Sequence, residues 1–177
     1  MKAKTISIFI IFALFQHLLY SQDWYKTNSS WNGFYPRILA EYYDKGYIFL
    51  ADKWGSGTIS YSILIKTDIN GNELWRKTIG DGNHSFIPVY LDKTIDNGLI
   101  FCGMTNKYGG VNPDPYLIKF NSCLEVEWCS VIYTPGIYDY SVRVKQTPTG
   151  EYVLLAAYSD PNEYYRMQLF KLSSTGD

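Results

Sequence analysis

The stretch that decides the fold is LIKTDINGNELW, residues 64–75. It reads as two short strands joined at Asn70-Gly71, the dipeptide that best tolerates positive φ in a tight hairpin. The stretch recurs as LIKFNSCLEVEW at residues 117–128 and, in part, as LFKLSSTGD at residues 169–177. The lysine precedes the tryptophan by the same interval in both complete copies (66 to 75 and 119 to 128). The sequence therefore predicts a repeat built from β-hairpins.

A second set of positions gives the period of the repeat. Three glycines lie 52 residues apart, and we expect each to open an apolar strand: Gly46, Gly98 and Gly150. An aromatic residue stands twelve positions before each glycine: Phe34, Phe86 and Tyr138. The residues between each aromatic and its glycine alternate in the manner of another strand. We therefore predict that each unit contains four short antiparallel strands, which we label A to D.

A four-stranded unit that repeats every 40 to 50 or so residues is typical of a β-propeller blade. We predict an all-β propeller with blades at about 34–78, 86–131 and 138–177, the last without strand D, and an isolated strand D at about 22–27. Trp75 and Trp128 are expected to fill the interfaces between blades, because each can bury a large apolar area. Three blades are fewer than usual, so we favour a segment of a longer propeller. The alternative is a three-blade unit that closes on itself or assembles with a second copy.

The first residues have the pattern of a cleaved secretory signal. Lys2 and Lys4 precede an apolar run from Ile6 to Leu19, and Ser21 suits the position before a cut. We predict a signal peptide at residues 1–21 and a mature chain, residues 22–177, that is secreted or at the cell surface. A single-pass anchor is the alternative, although the run is short for a membrane span.

The charge of the mature chain argues against two classes of partner. Without Lys2 and Lys4, 14 of the 16 basic residues remain against 17 acidic ones, a net charge of −3. Mild acidity disfavours nucleic acid and anionic membrane surfaces as partners. After signal cleavage we expect no membrane insertion, and self-association is expected if blades are missing.

Three cysteines leave the disulfide state open. Cys102 lies in an apolar strand, where a free thiol acts as a small hydrophobe. Cys123 and Cys129 flank one hairpin and can pair only if the strand register places them opposite each other. No spacing of cysteine and histidine suggests zinc, and we expect neither a metal site nor a cofactor.

The repeat resembles a known group of propellers. The pattern Asp-Asn-Gly before an apolar strand, with Tyr-Leu-Ile-Lys-Phe and the KTDINGNELW hairpin, is similar to the repeat propellers of secreted Bacteroidota proteins. The resemblance covers about residues 24–177 and implies type IX secretion, although no sorting domain is present in the sequence. The hairpin also resembles the tryptophan-docking motif of quinoprotein propellers. The quinone and metal ligands of that family have no match here, so the resemblance implies its fold alone.

Candidate ligand-binding residues lie in the loops that join strand D of one blade to strand A of the next. Such loops gather on one rim of a propeller, near the mouth of its channel. The polar residues of these loops are Asp81, Asn83, His84, Tyr138 and Asp139. The alternative interpretation of His84, a lone histidine in a glycine-rich turn, is a solvated loop residue. Tyrosines throughout the chain offer stacking surfaces for sugar rings, but blade packing requires the same enrichment.

Two other patterns have a structural and a functional interpretation. Asp68-Ile-Asn-Gly-Asn-Glu73 superficially resembles a calcium loop, but its glycine is at the wrong offset, so we interpret it as a hairpin turn. Lys66, Lys119 and Lys171 align in the three copies. We expect their stems to cover a neighbouring blade while their ammonium groups reach water. The alternative is a ring of cations.

No recognisable catalytic motif is present. Acidic residues such as Asp52, Asp92 and Asp114 cannot be paired from sequence at the distances a glycosidase requires. We therefore predict a non-catalytic extracellular binding, adhesion or scaffold module whose partner is a glycan or a protein. The alternative is a glycan-active enzyme with its site at the channel mouth. A pocket with two acids would favour the enzyme, and one lined by apolar and hydroxyl groups would favour the module.

Overall fold

A computed structural model describes residues 28–54, 60–80, 82–107, 112–133, 139–160 and 163–177. The chain divides into two compact units, Met1–Ser30 and Trp31–Asp177. In the first unit only residues 28–30 are described, and there the amide and hydroxyl of Ser30 donate to Asn28 Oδ1 at 3.0 and 2.7 Å. The predicted signal peptide (1–21) and isolated strand (22–27) lie outside the described residues.

Eleven β-strands account for most of the second unit. In chain order they are β1 (Tyr35–Glu41), β2 (Tyr47–Trp54), β3 (Ser60–Thr67), β4 (Glu73–Ile79), β5 (Phe86–Lys93), β6 (Leu99–Thr105), β7 (Asp114–Phe120), β8 (Val126–Val131), β9 (Tyr140–Gln146), β10 (Tyr152–Asp160) and β11 (Glu163–Leu172). Among the described residues the one helical element is a 3-10 turn at Ser29–Trp31. None of the helical structure in these ranges is long and apolar enough to cross a membrane.

The strands form three sheets in which sequence neighbours are also hydrogen-bonded neighbours. The first sheet has the order β1-β2-β3-β4, the second β5-β6-β7-β8, and the third β11-β10-β9. Every pairing is antiparallel. The predicted all-β repeat of four antiparallel strands is therefore confirmed, with three strands described in the third sheet. Strands A, B, C and D of the prediction correspond to β1 to β4 in the first sheet.

The same type of turn occurs six times at one end of the sheets. We call this end the turn edge. In each turn the amide of the first residue donates to the carbonyl of the fifth, and the fourth donates to the first, as in Asp68–Asn72. The fourth residue has positive φ: Lys45, Asn97 and Gly150 between strands A and B, and Gly71, Leu124 and Gly176 between C and D. These are three-residue hairpin loops closed by a residue in the left-handed region.

The six turns correct the alignment of the third repeat. Gly46 and Gly98 are the fifth residues of their turns, whereas Gly150 is the fourth residue of its turn and Glu151 is the fifth. The prediction that Gly150 matches Gly46 and Gly98 is therefore wrong by one residue. The periodicity misled because glycine serves two purposes here, positive φ at Gly150 and lack of a side chain at the other two positions.

The sheets stack face to face, with the second sheet in the middle. Ile48, Leu50 and Leu64 of the first sheet pack against Leu99 and Phe101 of the second, as part of one buried cluster. The opposite face of the second sheet packs in the same manner on the third, and that cluster contains Ile100, Cys102, Leu117, Val144, Tyr152 and Leu154. Each sheet thus uses one face toward its predecessor and the other toward its successor. This arrangement buries both apolar faces of the central sheet.

The aligned tryptophans lie in these interfaces, as predicted. Trp75 packs against the cluster that contains Leu124, from the C–D turn of the second sheet. Trp128 packs edge-on against Tyr152 of the third sheet at a ring-centroid distance of 5.3 Å. The ring of Trp128 also lies so close to Gly176 that a Cβ there would be 2.7 Å from it. Trp128 therefore docks on the C–D turn of the third sheet. At the other interface Lys77, whose ammonium lies over the Trp75 ring, donates to the Leu124 carbonyl of the second sheet's C–D turn at 2.7 Å.

Candidate functional site

A cavity of about 440 Å³ opens at the end of the second sheet opposite the turn edge. We call this end the loop edge. The cavity lies where β5 begins and β8 ends, and it is lined by Phe86, Lys107, Cys129, Ser130, Val131 and Tyr133. Its volume falls in the usual range of small-molecule sites, about 300–1,000 Å³. Tyr133 is 69% exposed, so its ring is available at the mouth.

Backbone hydrogen bonds fix the segments that lead to and from this cavity. The amide of Ser85 donates to Asn106 Oδ1 at 2.7 Å, which ties the D–A loop before β5 to the segment after β6. On the other side of the cavity, the amide of Ile132 donates to the Pro115 carbonyl at 2.9 Å. The amide of Asp139 donates to the Pro113 carbonyl at 3.1 Å. These bonds order the described residues just before β5 and just after β8, next to the lining residues Phe86 and Val131.

The predicted site residues are distributed unevenly around this cavity. Asn83 is exposed and His84 is half-buried, and both belong to the D–A loop that ends at the cavity residue Phe86. Asp139 is buried, and its carboxylate accepts a hydrogen bond from the amide of Ser159 at 3.1 Å. Asp139 thus orders the end of β10. Asp81 and Tyr138 lie outside the described residues.

Sequence reasoning missed most of the residues that line the cavity. Lys107, Ser130 and Tyr133 were not singled out, and Phe86 was used only to mark the period of the repeat. The available signal was positional, because Lys107 follows β6 and Tyr133 follows β8. Strands B and D of an antiparallel sheet run in the same direction and therefore end at the same side of the sheet. Strand ends were assigned from apolar patterns, which do not show which polar residues share that side.

Two of the three acidic residues named from sequence bind a basic side chain. The carboxylate of Asp52 is buried and accepts hydrogen bonds from the guanidinium of Arg37, with Nη2 at 3.1 Å from Oδ2. Asp92 binds the ammonium of Lys145 at 2.8 Å. Asp114 is a buried residue at the start of β7. Across the described ranges, no group of three or more potential ligands is placed to hold a metal ion.

The cysteines, all three of which are described, are unpaired. Cys102 is buried, whereas Cys123 and Cys129 are exposed. Cys129 lies opposite Ile118 in the β7·β8 register, so this hairpin does not bring it opposite Cys123. Burial raises the pKa of the Cys102 thiol to about 12, which keeps it protonated and unreactive. The interpretation of Cys102 as a small buried hydrophobe is confirmed.

The aligned lysines at the turn edge have a different role from either predicted one. Lys66 Nζ donates to Asp44 Oδ1 at 2.8 Å and to the Thr67 carbonyl at 2.7 Å. Lys119 Nζ donates to Asp96 Oδ2 at 2.6 Å, the Phe120 carbonyl at 2.9 Å and Glu127 Oε2 at 2.7 Å. Both side chains are almost fully buried, so the prediction of ammonium groups that reach water is wrong for them. Each instead ties an A–B turn to strand C of its own sheet.

The glycine at the fifth turn position makes this contact possible. A Cβ added at Gly98 would overlap the Phe120 carbonyl and lie 2.7 Å from Lys119 Nζ. The same addition at Gly46 would overlap the Thr67 carbonyl and lie 2.5 Å from Lys66 Nζ. Aspartate at the third position and glycine at the fifth therefore act together with the lysine. We call this set the lysine clamp: Asp44, Gly46 and Lys66 in the first sheet, and Asp96, Gly98 and Lys119 in the second.

The ionisation of Asp96 reflects the clamp. Burial would raise the pKa of this carboxyl group. The hydrogen bonds from Lys119, the Thr94 hydroxyl and the Gly98 amide outweigh burial and lower the pKa to about 2. The hydrogen bond from Lys66 likewise lowers the pKa of Asp44. The clamps therefore favour ionised carboxylates across the physiological range.

A search against models of known protein families and a search of curated proteins both find no match for this chain. What the site does is therefore argued from its geometry.

Proposed function

We propose that the three sheets are blades of a β-propeller and that the chain is an exported, non-catalytic binding or scaffold module. The repeated face-to-face stacking supports the propeller, because each sheet meets its successor through the same pair of faces. At both interfaces strand D of one sheet contacts the C–D turn of the next with the same polarity. Such head-to-tail contacts are the kind that generate rings when the rotation closes.

The observation that carries the functional part is the composition of the cavity at the loop edge. The lining residues that the structure describes combine aromatic, aliphatic, thiol, hydroxyl and ammonium groups, with no carboxylate among them. Glycoside hydrolysis ordinarily requires two carboxylic groups on either side of the scissile bond. This lining therefore supports ligand binding over the glycan-active enzyme that is the alternative.

We propose a glycan as the ligand, and the exposed ring of Tyr133 as its platform. An aromatic face at the mouth of a cavity offers a large apolar contact to a sugar ring, and the polar groups behind it offer hydrogen bonds. Asn83 and His84 lie on the loop that leads into the cavity and are suitable for secondary polar contacts. Asp139 is a weaker candidate because its carboxylate already orders the end of β10.

Export is the part of the proposal that rests on sequence alone. The basic and apolar pattern of residues 1–21 and the resemblance to secreted Bacteroidota propellers support a secreted or cell-surface location. The N-terminal sequence of the protein recovered from its native host tests this point. A mature chain that begins near Gln22 is expected, and an intact Met1 in the cytoplasmic fraction would contradict it.

The binding role is tested by titrating the protein with a panel of oligosaccharides derived from cell-surface polysaccharides, monitored by NMR. The expected result is saturable binding that weakens at least about fivefold in Tyr133→Ala, because an aromatic contact is worth on the order of 1 kcal/mol or more. The matched control is Tyr35→Ala, which removes a tyrosine of similar exposure from β1.

Two results would contradict the proposal. Equal loss of binding in both tyrosine variants would show that the cavity is not the binding site. Release of shorter saccharides during long incubation would instead establish the enzymatic alternative.

A further inference from the structure

Lys107 supplies a cationic group to the lining of the loop-edge cavity. The backbone around this lysine is held by two hydrogen bonds. The amide of Lys107 donates to Thr105 Oγ1 at 3.2 Å, and Thr105 is itself buried. The preceding residue, Asn106, accepts a hydrogen bond from the amide of Ser85 at 2.7 Å. The fold therefore fixes the point of the cavity wall from which the lysine side chain extends.

The charge of Lys107 acts inside the cavity. Cys129 is another lining residue, and its thiol experiences two opposing influences. Burial raises the pKa of the Cys129 thiol, and the ammonium of Lys107 offsets part of that increase. An ammonium that favours a thiolate at this place also favours an anionic group of a ligand beside it. The wall of the cavity at Cys129 is therefore suited to a negative charge.

The apolar part of the wall strengthens an ion pair formed there. Phe86 and Val131 both belong to the packing between the first and second sheets. Apolar walls exclude water and lower the local dielectric constant, which increases the attraction between opposite charges. Ser130 adds a hydroxyl group to the lining, and Tyr133 adds the ring at the mouth. An ammonium and a hydroxyl beside an aromatic platform match a sugar that carries one negative charge.

We propose that the ligand of this cavity is an acidic saccharide, and that Lys107 binds the carboxylate of a uronic acid residue whose ring lies on Tyr133. The hydroxyl of Ser130 is the second donor to the same carboxylate. This inference rests on the proposed glycan binding and names the class of glycan. It makes Lys107 the residue that selects the charged saccharide over a neutral one.

A carboxylate suits this lining better than a phosphate or sulfate ester. Phosphate recognition favours arginine, whose planar group bonds two oxygens at once, or several amides at a helix N-terminus. The described lining residues include no arginine, and the one helical element in the described ranges is the 3-10 turn at Ser29–Trp31. A lysine is instead a point charge that pairs with a single oxygen.

The net charge of the chain limits recognition to contact range. The sequence has a formal net charge of −1 at pH 7, so it does not attract polyanions from a distance. Selection of an acidic saccharide therefore comes from the pairing with Lys107 in the cavity. Because this is one ion pair, we expect added salt to weaken the binding of the acid and to leave a neutral ligand unaffected.

The test uses the full chain and short oligosaccharides of galacturonate, glucuronate and mannuronate. Each is compared with its methyl ester by isothermal titration calorimetry, because the ester keeps the sugar ring and removes the charge. We expect saturable binding of at least one acid. Its ester should bind about tenfold more weakly or worse, the loss expected when a hydrogen bond to a charged group is removed.

Matched variants of the chain assign the selectivity to Lys107. Lys107→Gln should lower the affinity for the acid to that for the ester and leave the affinity for the ester unchanged. Lys171→Gln removes a lysine that is 65% exposed in the third sheet, and it should change neither affinity. Tyr133→Ala should weaken both ligands by the same factor, because its ring contacts the sugar and not the charge.

Three results would overturn the inference. Equal affinities for acid and ester would show that the cavity binds saccharides without selecting charge, and the proposed function would stand. A sulfated saccharide bound as tightly as every uronate would show that the carboxylate is not selected. Absence of binding by any saccharide, acidic or neutral, would overturn the proposed function and this inference together.

Discussion

Lys119 in the second sheet and Lys171 in the third have the same register position but opposite environments. The side chain of Lys119 is 3% exposed and bonds to two carboxylates and a backbone carbonyl. The side chain of Lys171 is 65% exposed and meets Glu151 at 2.9 Å. The repeat therefore keeps its lysine in all three sheets and buries it in two.

The difference arises from the turn and from the neighbouring strand. The third residue of the turn is Asp96 in the second sheet and Thr149 in the third, and the fifth is Gly98 and Glu151, respectively. In the third sheet the carboxylate, that of Glu151, thus stands at the fifth turn position, where glycine lets the lysine of the second sheet approach the backbone. In the second sheet, moreover, β8 supplies Glu127 beside the lysine. Lys66 is buried with the turn aspartate and glycine but has leucine where the second sheet has Glu127, so the turn residues are the feature that the two buried lysines share. An ammonium is expensive to bury without such hydrogen bonds.

The largest predicted effect is for Lys119→Ala. The change leaves Asp96, Glu127 and the Phe120 carbonyl without their shared donor and removes the packing of the lysine stem. We expect a loss of about 3 kcal/mol in the free energy of unfolding, the lower end for a broken buried pair, because both carboxylates are partly solvated. Urea denaturation measures this loss in the free energy of unfolding. Lys171→Ala is the matched control, and its Tm should stay within about 1 °C of the wild type. Equal losses would show that burial of the clamp has no energetic consequence.

A smaller loss is predicted for Gly98→Ala. The added Cβ overlaps the Phe120 carbonyl and crowds Lys119 Nζ, so the A–B turn must shift. We expect a cost of about 2–3 kcal/mol, as for other overpacking changes, measured by thermal unfolding.

The control for that change is Gly150→Ala. Gly150 has φ +88 and open space around it, so only the backbone conformation is strained. A cost of about 1 kcal/mol is expected. If Gly150→Ala proves the more harmful of the two, the close approach at Gly98 is not a determinant of the clamp.

Acid should weaken the lysine clamp of the second sheet. The pKa of Asp96 is about 2 in the folded chain, below its ordinary value of 3.8. A depressed carboxyl pKa stabilises the fold above the unfolded value, so this contribution is lost as the pH falls from about 4 to about 2. Asp96→Asn should flatten the dependence of the urea midpoint on pH across that window. An unchanged slope in the variant would contradict the role assigned to Asp96.

The smallest effect is predicted for Thr149→Asp, which restores the clamp carboxylate in the third sheet. Lys171 is solvated and already meets Glu151, so a new exposed ion pair adds little. The Tm is expected to change by no more than about 1 °C.

Sequence reasoning worked where one residue type has one purpose. The alternation of the hairpin stretch and the matched tryptophans predicted strands C and D and their interfaces. Sequence reasoning failed where one residue type has several roles. Gly150 was aligned with Gly98, and the lysines were expected to reach water because nothing in their spacing shows a carbonyl of strand C nearby. The cavity was missed because Lys107 and Tyr133 come together only through strand ends of the same sheet.

Peptide-resolved hydrogen exchange of the full chain tests the central claim most directly, namely that three sheets stack as one repeat with the second sheet in the middle. We predict the slowest exchange in β7, which is flanked on both sides and buried between sheets. We predict much faster exchange in β11, which among the described residues pairs with β10 alone. Equal protection of β7 and β11 would contradict the account, because the second sheet would then not be the more enclosed of the two.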